Sequence, residues 1–107
     1  MTIILSTDFN TCIHIPFVQR YEDVKNISIL SYQWYDTKGK GKDYRETILC
    51  FDNKRVFFYD YNDTIETEVY RILTGDIVSD KIDLSAYDCS PARLKPPKHY
   101  KRVEKIA

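Results

Sequence analysis

The sequence predicts an α+β domain: a small, mainly antiparallel β-sheet of four to five strands, one helix at about 64–74 packed on a face, and an extended basic C-terminal tail. A small β-barrel is the alternative. Three observations carry this expectation. The chain is rich in aromatic residues, with nine Tyr, five Phe and one Trp beside only three Gly, a bias that suits pleated, half-buried surfaces. Residues 27–61 read as three strand-like runs separated by turn signals. Directly after them, apolar residues switch to helical spacing behind a capping signal.

Taken in chain order, Ile3, Ile4 and Leu5 form a short apolar run closed by Ser6-Thr7-Asp8, the pattern of a buried first strand and a polar turn. Over 12–18, Ile13, Ile15 and Phe17 alternate with Cys12, His14 and Pro16. Pro16 cannot donate to a ladder, which puts this strand at a sheet edge. The run 27–35 is β-branched and aromatic, meets the Gly-spaced basic tip 36–42, and returns as 44–51; Asp52-Asn53-Lys54-Arg55 makes a tight turn into 56–61. The result is a three-stranded meander.

Asp63-Thr64-Ile65-Glu66 has the form of a capping box, with Asp63 accepting from a free helical N–H and Glu66 reaching back. Ile65, Val69, Ile72 and Leu73 then share one helical stripe, and Gly75 suits the left-handed position past the end. A further short strand is expected at 81–84. Ser90-Pro91 and Pro96-Pro97 favour an extended arm, after which Tyr100, Val103 and Ile106 have the spacing of a weak final helical turn.

Length and composition fit one compact domain, taken as 1–91, followed by a basic tail, 92–107. The charge is zero in total but divided. Residues 1–91 hold 10 Lys/Arg and 15 Asp/Glu, whereas 92–107 hold 6 Lys/Arg and 1 Glu, so a body near −5 carries a tail near +5. Such asymmetry is a mark of an interaction tail, while the body by itself repels a phosphate backbone. Cys12, Cys50 and Cys89 are odd in number and widely spaced, a poor disulfide framework that favours free thiols and a cytoplasmic setting. No basic segment precedes the short N-terminal apolar run, as a signal peptide requires, and no stretch approaches the roughly 18 apolar residues of a membrane span. Heavy use of Ile, Lys, Tyr, Asp and Asn is compatible with an AT-rich genome, including those of phages and other mobile elements.

Candidate chemistry is sparse. Cys12 and His14 lie at i and i+2 on one proposed strand face, but two more zinc ligands have to come from Cys50, Cys89 or His99, none in a ligand-spaced pair, so no metal and no cofactor is expected. A small hydrolase or nuclease needs His14 or His99 as its base, with Asp8, Asp43 or Glu46 as carboxylates, and their spacing carries no signature. Lys38, Lys40 and Lys42 at the hairpin tip form either a phosphate-tracking finger or a solvated tip that blunts edge aggregation. Arg93, Lys95, Lys98, Tyr100, Lys101 and Arg102 mix charge with an aromatic anchor.

On the 56–61 strand, Phe57, Phe58, Tyr59 and Tyr61 put aromatics on both faces, where Tyr32, Trp34, Tyr35 and Tyr44 can join them. One face is core. The other is either hidden by the helix, the preferred reading, or left as an aromatic platform. The function expected from these features is a non-enzymatic binding module of inhibitor or adaptor type, docking on a protein or nucleoprotein partner through exposed aromatics, the Lys38–Lys42 tip and the tail. A nucleic-acid-binding protein using the same basic residues is the alternative.

Overall fold

In the computed structural model, the structure describes residues 1–7, 17–36, 44–60, 62–90 and 100–104. They form β1 (Thr2–Thr7), β2 (Phe17–Tyr21), β3 (Ser28–Asp36), β4 (Tyr44–Phe51), β5 (Lys54–Tyr59), α1 (Thr64–Leu73), β6 (Lys81–Ser90) and β7 (Tyr100–Glu104). Six strands in the order β2-β1-β6-β5-β4-β3 make one mixed sheet, and β7 is added along β3. β1 and β6 run parallel; the other neighbours are antiparallel. The terminal strands β2 and β7 do not pair with each other, so the sheet is open and the barrel alternative is excluded.

The meander is present as β3, β4 and β5, and its second turn shows why. Phe51 pairs with Lys54, leaving Asp52 and Asn53 as a two-residue loop with φ of 45° and 67°. Two positive φ values are what a type I′ hairpin demands, and Asp and Asn tolerate them better than other side-chain-bearing residues. β1 lies inside the sheet between β2 and β6, and Ile3, Ile4, Leu5 and Ser6 are all buried there. The expected 12–18 strand falls mostly outside the described residues; Phe17 and Val18 open β2, which is an edge strand.

The main core lies between α1 and one face of the sheet. Ile3, Leu5, Leu49, Phe51, Val56, Phe58, Ile82 and Leu84 meet Ile65 and Val69 there. Leu73, by contrast, leaves the predicted stripe at 38% exposed, while Ile72 keeps its predicted place, packed partly against the core. Gly75 takes φ 87° just past the helix, as expected.

The cap is built differently from the sequence reading. Asp63 stands at the N-cap with φ 57°, a left-handed conformation, and its side chain makes no cap hydrogen bond; it pairs with the Arg45 guanidinium. An N-cap side chain reaches the first-turn amides from extended backbone, which Asp63 lacks. Asp60 caps instead, although it precedes the helix by four residues. Its carboxylate accepts from Ile65 N (3.1 Å), Glu66 N (2.9 Å) and Thr47 Oγ1 (2.9 Å), and the residue is buried.

Two more expectations need correction. The strand predicted at 81–84 continues as β6 to Ser90. The predicted helical turn around Tyr100 and Val103 is strand β7, antiparallel to β3, with Tyr32 opposite Glu104 and Asp36 opposite Tyr100. Among the described residues, no helix is long and apolar enough to cross a membrane.

Candidate functional site: an aromatic, acidic pocket

Side chains of paired strand residues share a face, so the register sorts the meander's aromatics. Phe58 opposite Thr47 faces α1, whereas Phe57 opposite Ile48 and Tyr59 opposite Glu46 face away. Trp34 opposite Tyr44 and Tyr32 opposite Glu46 share that second face. The helix therefore hides one aromatic stripe and leaves the other, contrary to the preferred sequence reading. A single helix on one side of an open sheet cannot reach both.

On the second face, Trp34 and Tyr44 stack with ring centroids 5.9 Å apart and planes at 13°, and Tyr44 meets Tyr59 edge-on at 5.4 Å and 71°. Tyr44, Tyr59 and Phe57 wall a pocket of about 120 Å³, together with Glu46, Asp88 and Ser90. Glu46 is 6% exposed, and Tyr59 is 45% exposed at the rim. Among the described residues β5 and β6 pair at Phe57–Ser90 and Phe58–Cys89, and the pairing does not continue to Tyr59 and Asp88, so the strands part beside the pocket.

Asp88 owes its place to a bulge. Parallel pairing of β1 and β6 runs to Leu5–Leu84 and resumes at Ser6–Asp88, leaving three residues of β6 without a counterpart. Asp83 anchors the start of this excursion, accepting from Ser85 N (3.0 Å) and Ser85 Oγ (2.6 Å). Those bonds hold its carboxyl below the ordinary value, the side-chain one contributing most. An odd number of inserted residues changes which side chains face the core. After the bulge, Tyr87 and Cys89 pack on the α1 side, and Asp88 and Ser90 line the pocket.

Cys89 borders the pocket through its strand position, but its thiol is not a poised nucleophile. Partial burial first, and the Asp88 charge second, push its pKa from 9.0 up to about 11, and Sγ donates to Ser6 O at 3.3 Å. Cys50 and Cys89 are both free thiols. Among the described residues, no group of three or more His, Cys, Asp or Glu side chains is placed to hold a metal ion.

Of the residues singled out from sequence, Lys38, Lys40, Lys42, Arg93, Lys95 and Lys98 lie outside the described residues, as do Cys12, His14 and His99. Tyr100, Lys101 and Arg102 fall in β7, where the register sets Lys101 opposite Tyr35 and Arg102 opposite Trp34. Trp34, Tyr44, Phe57 and Tyr59 were legible as a possible platform and Glu46 as a carboxylate. Asp88 was missed, because its role depends on the bulge; the only local hint is Asp83 two residues before Ser85, an Asx-turn signal. Comparison of the chain with protein-family models, with curated proteins and with solved structures gives no match.

Proposed function

We propose that the protein is a non-enzymatic binding module, of inhibitor or adaptor type, that docks on a protein partner through the sheet face opposite α1. The observation that carries this reading is the Trp34–Tyr44–Tyr59 aromatic cluster, which lies on the side of the sheet away from the helix and reaches the surface at Tyr59. Buried rigid aromatics with an accessible rim are the composition of interface hot spots. Leu30 is exposed on the same face and extends its apolar area.

A second reading, nucleic-acid binding, is favoured by one specific placement: β7, from the basic tail, borders this aromatic face with Arg102 opposite Trp34. Aromatic platforms edged by cations stack bases and neutralise phosphates. The acidic body argues for the protein partner.

The deciding experiment is affinity capture from the native host with the wild-type chain and with Tyr59→Ala, followed by binding to the captured partner over a salt series. A protein partner lost with Tyr59→Ala, whose affinity changes weakly with salt, supports the proposal. A nuclease-sensitive capture with a steep log-linear salt dependence replaces it with the second reading.

A further inference from the structure

Resting on the reading of this face as the docking surface, we infer that the pocket between β4, β5 and β6 receives the guanidinium of an arginine side chain from the protein partner. Three features of the site select that chemistry. The walls are aromatic: Tyr44, Phe57 and Tyr59 offer π-faces or edges within one small cavity, and a cation is attracted to such faces. Among the described lining residues the polar groups are the Glu46 and Asp88 carboxylates, the Ser90 hydroxyl, the Tyr44 and Tyr59 phenols and the Cys89 thiol, and none of these described residues is a Lys, Arg or His. The volume, about 120 Å³, suits a side-chain head group and not a nucleotide or a folded loop.

Among cations, guanidinium fits best. It is planar, so it can lie along an aromatic wall, and its five N–H donors can serve carboxylates in two directions at once. Glu46 reaches the pocket from β4 and Asp88 from β6, on opposite sides of β5. A compact ammonium can satisfy such acceptors only by sacrificing ring contact. The bulge in β6 is the structural expense that brings the second carboxylate here, since without its three inserted residues the alternation after Leu84 would differ.

The test uses the full chain and three capped amino acids: N-acetyl-arginine amide, N-acetyl-lysine amide and the neutral isostere N-acetyl-citrulline amide. Amide shifts are followed by ¹⁵N–¹H correlation spectra during titration. The arginine probe is expected to move the amides of residues 57–59 and 88–90 saturably, with a dissociation constant on the order of 1–10 mM, as a single side chain warrants. Citrulline should bind at least about tenfold more weakly because charge is lost while shape is kept. Asp88→Asn, a surface-accessible change that leaves the core intact, should weaken the arginine probe about three- to tenfold with an unchanged melting temperature.

Equal binding of arginine and citrulline, binding of arginine that Asp88→Asn does not alter, a lysine probe that binds as well as arginine, or absence of shifts at this pocket each overturns the inference. Failure here is distinguishable from failure of the docking reading. If the arginine probe is silent while Tyr59→Ala still abolishes partner capture, the face binds a partner by other means; if the probe binds as expected while capture ignores Tyr59, the pocket stands and the docking reading falls.

Discussion

Asp60 illustrates how much can depend on one side chain. Its two carboxylate oxygens accept three hydrogen bonds, two from first-turn amides of α1 and one from the buried Thr47 hydroxyl on β4, so it joins helix to sheet. Asp60→Ala is therefore expected to cost about 2–4 kcal/mol, combining a lost cap with a stranded buried hydroxyl, in urea denaturation. Asp60→Asn should recover little of it, because an amide NH₂ presents donors to donors. Asp63→Ala removes a partly exposed pair with Arg45 and should cost at most about 1 kcal/mol. A larger loss from Asp63 than from Asp60 would restore the capping box. Cys89 supplies a pH test. Its folded pKa, about 11 against an ordinary 9.0, means the folded state holds the proton more tightly. The stability this contributes is complete below pH 9 and is lost as pH rises through about 11. The destabilisation caused by Cys89→Ala, measured by urea midpoints at a series of pH values, should accordingly shrink between pH 9 and 11; a constant difference would refute the raised pKa.

At the level of elements, α1 is a short helix that stands by its packing. Ten residues are too few to be stable alone in water, so the burial of Ile65 and Val69 against β-strand side chains decides its existence. Val69→Asp should cost at least about 3 kcal/mol, since it sets an unpaired charge among Phe58, Leu84 and Ile65. Leu73→Asp, on the exposed side, should change the urea midpoint by less than about 0.5 kcal/mol equivalent. Equal effects of the two substitutions would place the helix in a different rotation. The β4–β5 hairpin draws its register from the opposite source, a local one. Two residues that accept positive φ fix the turn, and the turn fixes which of Phe57 and Phe58 faces the core.

For the whole molecule, the sheet's size and openness matter most. Its two terminal strands, β2 and β7, do not pair with each other as the ends of a closed barrel would, and β7 comes from the segment whose charge opposes the body's. The described core residues all precede Ser90, while β7 supplies β3 with five antiparallel partners. Deleting residues 95–107 is therefore expected to leave a cooperative thermal transition but to lower its midpoint by about 5–10 °C, from the loss of roughly 1–2 kcal/mol of edge pairing. An unchanged midpoint would show that β7 contributes nothing to the fold, and loss of the transition would make it part of the core. Partner binding per folded molecule, measured on the same truncated protein, separates structural from interaction roles of the tail: the docking face proposed above retains its pocket residues in that protein.

The sequence by itself determined the meander, the helix and their boundaries, because these rest on short-range physics. Period-2 and period-3.6 patterns, two turn residues tolerant of positive φ at Asp52-Asn53, and Gly75 past the helix are all written within a few positions of where they act. It also showed that Phe57 and Phe58 must face opposite ways, since strand geometry leaves no choice. Only the tertiary structure decided what covers each face. The parallel β1–β6 pairing joins residues about eighty positions apart, and its bulge turns Asp88 toward Tyr44 and Glu46 in a way no local pattern encodes. The same holds for the helix cap: the local pattern points to Asp63, and the role falls to Asp60, whose carboxylate the fold buries beside Thr47 and the first-turn amides. Side-chain type and spacing specify what a residue can do, whereas long-range register specifies which neighbours it does it with.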